Sequence, residues 1–83
     1  MMDGWDAVSS RMAERRKQLG LSYQALAERT GLTKSTLQRY EKGNIRNAPI
    51  ARLEDLCRGL EMSVEELMGL QGRREIDGPN RQA

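Results

Sequence analysis

Apolar residues recur along the chain at spacings of three and four, with polar residues filling the gaps. Trp5, Val8, Met12 and Leu19 form one such stripe. It predicts an amphipathic helix over roughly residues 5 to 19, with Asp3 or Asp6 as its cap and Gly20 as its end. Leu26 and Ala27 give a second, shorter helix its apolar face. Ser22 opens it, because its hydroxyl can accept from a free backbone N–H. Gly31 closes it, because glycine enters the left-handed region without a Cβ clash. Leu32 fills the corner. Thr33 then opens a third helix, with Leu37 and Tyr40 three apart on one face and Gly43 at its end. In the loop NIRNAP, Ile45 is the expected apolar anchor. Pro49 fits the first turn of a fourth helix, where its missing N–H is not needed. The inner face of that helix is Ile50, Leu53, Leu56, Cys57 and Leu60. Gly59 and Glu61 precede a fifth helix, opened by a capping box of Ser63 and Glu66, faced by Val64, Leu67 and Met68, and closed by Gly69.

The pattern stops at Gln71. Residues 71–83 are polar and rich in glycine and charge, which predicts a disordered tail or linker. The expected fold is all-α: one domain over residues 1–70, a compact five-helix bundle joined by connections of about two to six residues. Leu26, Leu37, Ile50, Leu53 and Leu56 are expected to be buried together.

The chain is organised around SYQALAERTGLTKSTLQRYEKG, residues 22–43. A small residue at Ala27, a turn glycine four later, and apolar residues at Leu26, Leu32, Leu37 and Tyr40 make a helix-turn-helix pattern. Its helices cross closely, so the crossing needs a side chain as small as alanine. The second of them leaves Lys34, Ser35, Gln38, Arg39 and Lys42 on its outer face, groups suited to base edges and phosphates.

Composition narrows the possibilities. Eighty-three residues allow one small domain. There is no Phe and no His, so the core is built from Leu, Ile, Val, Met and Ala. The single cysteine, Cys57, permits no internal disulfide and reads as a small buried hydrophobe, since no His exists to activate it. A lone cysteine without a signal-like apolar stretch fits a reduced, cytoplasmic setting. No run approaches the ~18 apolar residues of a membrane span. An enzyme is not expected: the chain has no His, no cluster of metal ligands, no glycine-rich phosphate loop, and no Ser or Cys beside a plausible base. Catalytic residues, metals, cofactors and small-molecule ligands are accordingly expected to be absent. The net charge is only +2, but residues 1–50 carry nine Lys or Arg against five Asp or Glu, and residues 51–70 carry two against five. That asymmetry favours an anionic partner on one side, against ordinary charge scatter as the alternative.

Over about residues 8–70 the chain resembles the lambda-repressor-like, or XRE-type, helix-turn-helix family. The resemblance rests on GLS, then LA, then TGL and S, then YEKG, then a Pro-started helix and VEELMG. The stretch QRYEKGNIRNAPI followed by LMG particularly resembles phage-type and LexA-like repressors, which carry a self-cleaving peptidase domain after a linker. The chain is then either a small regulator or the N-terminal domain of a longer one. The resemblance implies that Lys34 and Ser35 read bases in the major groove, and that Gln38 and Arg39 reach further along it. It implies a phosphate contact at the start of helix two. The family usually places Gln there; this chain has Tyr23 with Gln24 next, and either can make the contact. Lys42, Asn44, Arg46 and Asn47 would grip the DNA backbone. The family also pairs an arginine of helix one with the glutamate ending helix three, here Arg16 and Glu41. Helical phase agrees for Glu41 but does not by itself choose Arg16 over Arg15.

The function expected is sequence-specific binding of a palindromic double-stranded DNA operator by a homodimeric transcriptional repressor. The alternative is an antitoxin-like protein-interaction module, distinguished by whether mutation of Lys34 and Arg39 abolishes function. Met62, Met68 and Leu70 either finish the core or form the dimer patch.

Overall fold

The computed structural model describes residues 4–70; the expectations placed on Asp3 and on the tail, 71–83, lie outside the described residues. Within them the chain forms α1 (Gly4–Gln18), α2 (Tyr23–Thr30), α3 (Lys34–Glu41), a 3₁₀ turn (Asn44–Asn47), α4 (Ile50–Leu60) and α5 (Val64–Met68). This is the expected five-helix order, with a 3₁₀ turn in the segment expected to be a loop.

The side-chain caps of α2, α3 and α5 form where the sequence places them, whereas Asp6, the other candidate cap of α1, lies inside that helix in its first turn. Ser22 Oγ accepts from Ala25 N–H at 3.0 Å, and Thr33 Oγ1 accepts from Thr36 N–H at 3.1 Å. Ser63 and Glu66 bond reciprocally as a capping box. Each satisfies donors that a helix start leaves open. Gly31 adopts φ 78° and its N–H reaches Ala27 O at 2.9 Å, so the turn between α2 and α3 needs its glycine.

The core centres on Met12, Leu26, Leu37, Ile45, Leu56, Leu60 and Leu67, all fully buried. Ile50 departs from expectation: it is 62% exposed. Pro49 is the cap of α4, not part of its first turn, so Ile50 is the first helical residue and stands outside the packed stretch. The buried face begins at Leu53, and the apolar anchor ahead of α4 is Ile45.

Gly59 also departs from the reading that set it between helices. It lies inside α4, buried against α2, and the helix is closed by Glu61 in the left-handed conformation at φ 57°. A Cβ at Gly59 would fall against Thr30 Cγ2 and lie 3.3 Å from both Arg29 Cβ and Leu26 Cδ1. Glycine here lets α4 approach α2 more closely than any side chain would allow. The buried polar groups are satisfied. Ser9 Oγ donates to Tyr40 O at 2.8 Å, tying α1 to the end of α3, and Thr30 Oγ1 donates to Leu26 O at 2.9 Å while accepting from Leu32 N–H at 3.1 Å.

Candidate nucleic-acid interface

The packing of α2, α3 and α4 leaves Lys34, Ser35, Gln38, Arg39 and Lys42 exposed on α3 and its C-cap, while Leu37 and Tyr40 turn inward. The 34–38–42 and 35–39 spacings stack these side chains along one side of the helix. Asn44, Arg46 and Asn47 continue the exposed surface through the 3₁₀ turn, where Asn47 Nδ2 donates to Asn44 Oδ1 at 2.8 Å. Gln24, in the first turn of α2, is exposed, and its amide donates to Glu28 Oε2 at 3.2 Å.

The cations divide sharply by location. Arg11 Nε donates to Leu67 O at 2.7 Å, and Arg15 donates to Leu60 O at 2.8 Å and Glu61 O at 3.1 Å. Arg29 donates to Gly59 O at 3.1 Å and Glu61 Oε2 at 3.0 Å. These guanidiniums close the carbonyl ends of α4 and α5, where cations are favoured by the helix dipole. Arg52 and Arg58 both approach Asp55. By contrast Lys34, Arg39, Lys42 and Arg46 have no side-chain hydrogen bond or ion pair among the described residues, and Lys17 is the one cation elsewhere in that state. Four unpartnered cations therefore occupy one continuous surface.

Beneath that surface lies an ionic joint. Arg16 Nε donates to Glu41 Oε2 at 2.7 Å and its Nη2 to Oε1 at 3.3 Å, with the side chains only 13% and 8% exposed. A third donation, from Nη1 to Leu21 O at 2.9 Å, ties the same guanidinium to the α1–α2 connection. Arg15 is directed instead to the end of α4, so the geometry distinguishes the two arginines where helical phase did not. Tyr23 completes the joint: its hydroxyl donates to Glu41 Oε1 at 2.8 Å, and Arg16 Cζ stacks 4.3 Å from its ring centroid. The Glu41 hydrogen bond is the largest influence in raising the Arg16 pKa above its ordinary value, and also in raising that of Tyr23. The Tyr23 hydroxyl thus donates to a carboxylate, while Gln24, next to it at the start of α2, is exposed. The sequence offered no signal for this bond, because Tyr23 and Glu41 are joined only by the crossing of their helices.

Among the described residues no group of three or more His, Cys, Asp or Glu side chains is arranged to hold a metal, and no helix is long and apolar enough to cross a membrane. Cys57 is buried, and desolvation pushes its thiol up to about 11.

A family model described as helix-turn-helix matches residues 12–67, which include α2, α3 and the joint. The HTH-type transcriptional regulators SinR of Bacillus licheniformis and of Bacillus subtilis (strain 168) are each 34% identical over 71 residues, covering 86% of this chain and 64% of theirs. The chain therefore spans less than two thirds of the length of these relatives. No solved structure matches it at a comparable level. With the turn, the two caps and the matched span all in place, the chain belongs to the XRE-type helix-turn-helix family, a DNA-binding, non-enzymatic class of domain.

Proposed function

We propose that the domain binds double-stranded DNA sequence-specifically through α3 and represses transcription from a palindromic operator as a homodimer in the cytoplasm. Lys34, Ser35, Gln38 and Arg39 meet base edges in the major groove; Gln24, Lys42, Asn44, Arg46 and Asn47 meet the phosphate backbone. Tyr23 supports this surface through Glu41 and does not itself touch DNA. The observation that carries the reading is the partition of cations among the described residues: those outside α3 and the 3₁₀ turn, except for Lys17, lie against carbonyls or carboxylates, while those on this surface remain unpaired. Unpaired cations on one face are what counterion release from a duplex requires. The naming of the SinR relatives as transcriptional regulators supports the same reading.

An eight-residue α3 spans only a few base pairs, so two copies on half-sites about one helical turn apart would supply the missing affinity. Leu70, 46% exposed, and half-buried Met68 of α5 are the proposed dimer contact. The test is selection of bound sites from a random duplex pool. A recovered palindrome supports both specificity and pairing; a pool with no enriched sequence overturns the reading.

A further inference from the structure

A cleft of about 330 Å³ opens between the α2–α3 turn and the start of α4, with Thr33, Thr36, Arg39 and Arg52 in its lining. Its donors are uncommitted or easily released. Arg39 has no partner among the described residues. Thr33 Oγ1 accepts from Thr36 N–H and donates to Thr36 Oγ1 at 2.9 Å, so the Thr36 hydroxyl proton has no acceptor among the described residues. Arg52 stands 3.7 Å from Asp55 Oδ2, a distance at the edge of ion pairing, and its side chain is 53% exposed. Asp55 is held more closely by Arg58, 3.1 Å from Oδ1. A ligand can therefore draw Arg52 away without leaving the Asp55 carboxylate unpaired.

We propose that this cleft is a phosphate-binding site, with Arg52 and Arg39 as its cationic donors and Thr36 as its hydroxyl donor. Two guanidinium forks and a hydroxyl offer more donors than a single carboxylate can use, whereas a phosphate group presents enough oxygens to engage all three. Arg52 is the cleft-lining cation whose release costs least, because Asp55 keeps the closer Arg58 as its partner. Arg39 belongs both to the cleft and to the exposed side of α3, so the favoured source is a DNA backbone phosphate beside the bases that α3 reads. That assignment of source rests on the DNA-binding reading above; the other source is a free phosphate ester.

The test variant is Arg52→Gln, since Arg39 also serves the base-reading side. Arg52 is half exposed on the first turn of α4, and an unchanged melting temperature establishes that the variant folds. With DNA as the source, R52Q weakens binding to operator and scrambled duplexes by the same factor and lowers the salt slope by about one unit. The gap between wild type and variant then narrows about 3.5-fold between about 50 and about 200 mM salt. R52K, which keeps the charge, restores the slope. If R52Q binds duplexes as wild type does, yet inorganic phosphate shifts the Thr36 amide resonance of wild type and not of R52Q, the site stands with a free phosphate as its ligand. If R52Q matches wild type in both experiments, the proposal is overturned. If wild type itself shows no salt-dependent duplex binding, the DNA reading has failed, and the phosphate titration alone decides the cleft.

Discussion

The Tyr23 hydroxyl donates to Glu41 Oε1 at 2.8 Å while Arg16 stacks 4.3 Å from the same tyrosine ring, so one aromatic side chain serves both members of a largely buried ion pair. The joint fixes the start of α2 and the end of α3 to α1. The side chains at the end of α3 therefore project from an anchored helix.

Removing one charged member should harm more than removing both, because the survivor is left buried without compensation. Arg16→Met or Glu41→Gln alone is expected to cost about 3–5 kcal/mol, and the double variant less than either. Tyr23→Phe keeps the ring and loses one hydrogen bond to a charged acceptor, for about 1.5–3 kcal/mol. Chemical denaturation of the four proteins in the charge cycle measures the coupling; a coupling of zero would show that the joint is ornamental to stability.

Leu37→Ala and Ile50→Ala separate the real core from the apparent one. Leu37 is fully buried, and its truncation is expected to cost ~2–5 kcal/mol, much of the stability of so small a domain. Ile50 is 62% exposed and should change stability by less than ~0.5 kcal/mol. Equal losses in the two variants would mean that α4 packs one turn earlier than described.

Gly59→Ala tests the close approach of α4 to α2. The added methyl meets Thr30 Cγ2, Arg29 Cβ and Leu26 Cδ1 together, so the helices must separate or the side chains rotate. A loss of about 1–3 kcal/mol is expected, although alanine is the better helix former. A rise in melting temperature would show that propensity outweighs the clash.

The Cys57 thiol titrates near 11 in the folded protein against an ordinary 9.0. Its folded pKa is raised, so its contribution to stability is complete below pH 9 and is lost as pH rises toward about 11. Tyr23, also raised, acts in the same direction at alkaline pH. Cys57→Ala should therefore flatten, without abolishing, the alkaline fall in melting temperature. A thiol reagent at neutral pH should label Cys57 only after unfolding; rapid labelling of the native protein would contradict its burial.

Local signals carried most of the fold. Ser22, Thr33 and the Ser63–Glu66 box each act within three residues of themselves, and each formed as read. Signals that depend on which helices meet were illegible. Ile50 continues the apolar spacing of α4, but spacing cannot say where along a helix its neighbours stop. Gly59 looks like a helix break, and only contact with Thr30 reveals it as a packing device. Tyr23 sits where a phosphate donor was expected; its commitment to Glu41 follows from a crossing that no periodicity encodes. At the interface, exposure of Lys34, Ser35, Gln38 and Arg39 followed from the apolar phase of Leu37 and Tyr40. The cleft beside Arg39 did not, because Arg52 lies thirteen positions further on, in a different helix.

The assignment of base readers and backbone grippers yields opposite signatures for two arginines. Arg39 projects from α3 itself, while Arg46 lies in the 3₁₀ turn beyond its end; neither has a partner among the described residues. Loss of either leaves no carboxylate stranded, so changes in DNA binding can be read without a large stability correction. A phosphate contact releases counterions but carries no base information. Arg46→Ala should therefore weaken binding to operator and scrambled duplexes alike and lower the salt slope by about one unit. Arg39→Ala should cost roughly 1–3 kcal/mol on the preferred site and relax preference at one base pair. Its contact with the cleft adds a smaller, sequence-independent loss if the phosphate proposal holds, so the decisive quantity is the ratio of specific to scrambled affinity. That ratio should fall for Arg39→Ala and stay constant for Arg46→Ala across a salt series. A constant ratio for Arg39→Ala with a falling one for Arg46→Ala would reverse the two roles. If both variants bind every duplex as wild type does, the helix-turn-helix is a scaffold, and its unpaired cations serve an acidic protein partner instead.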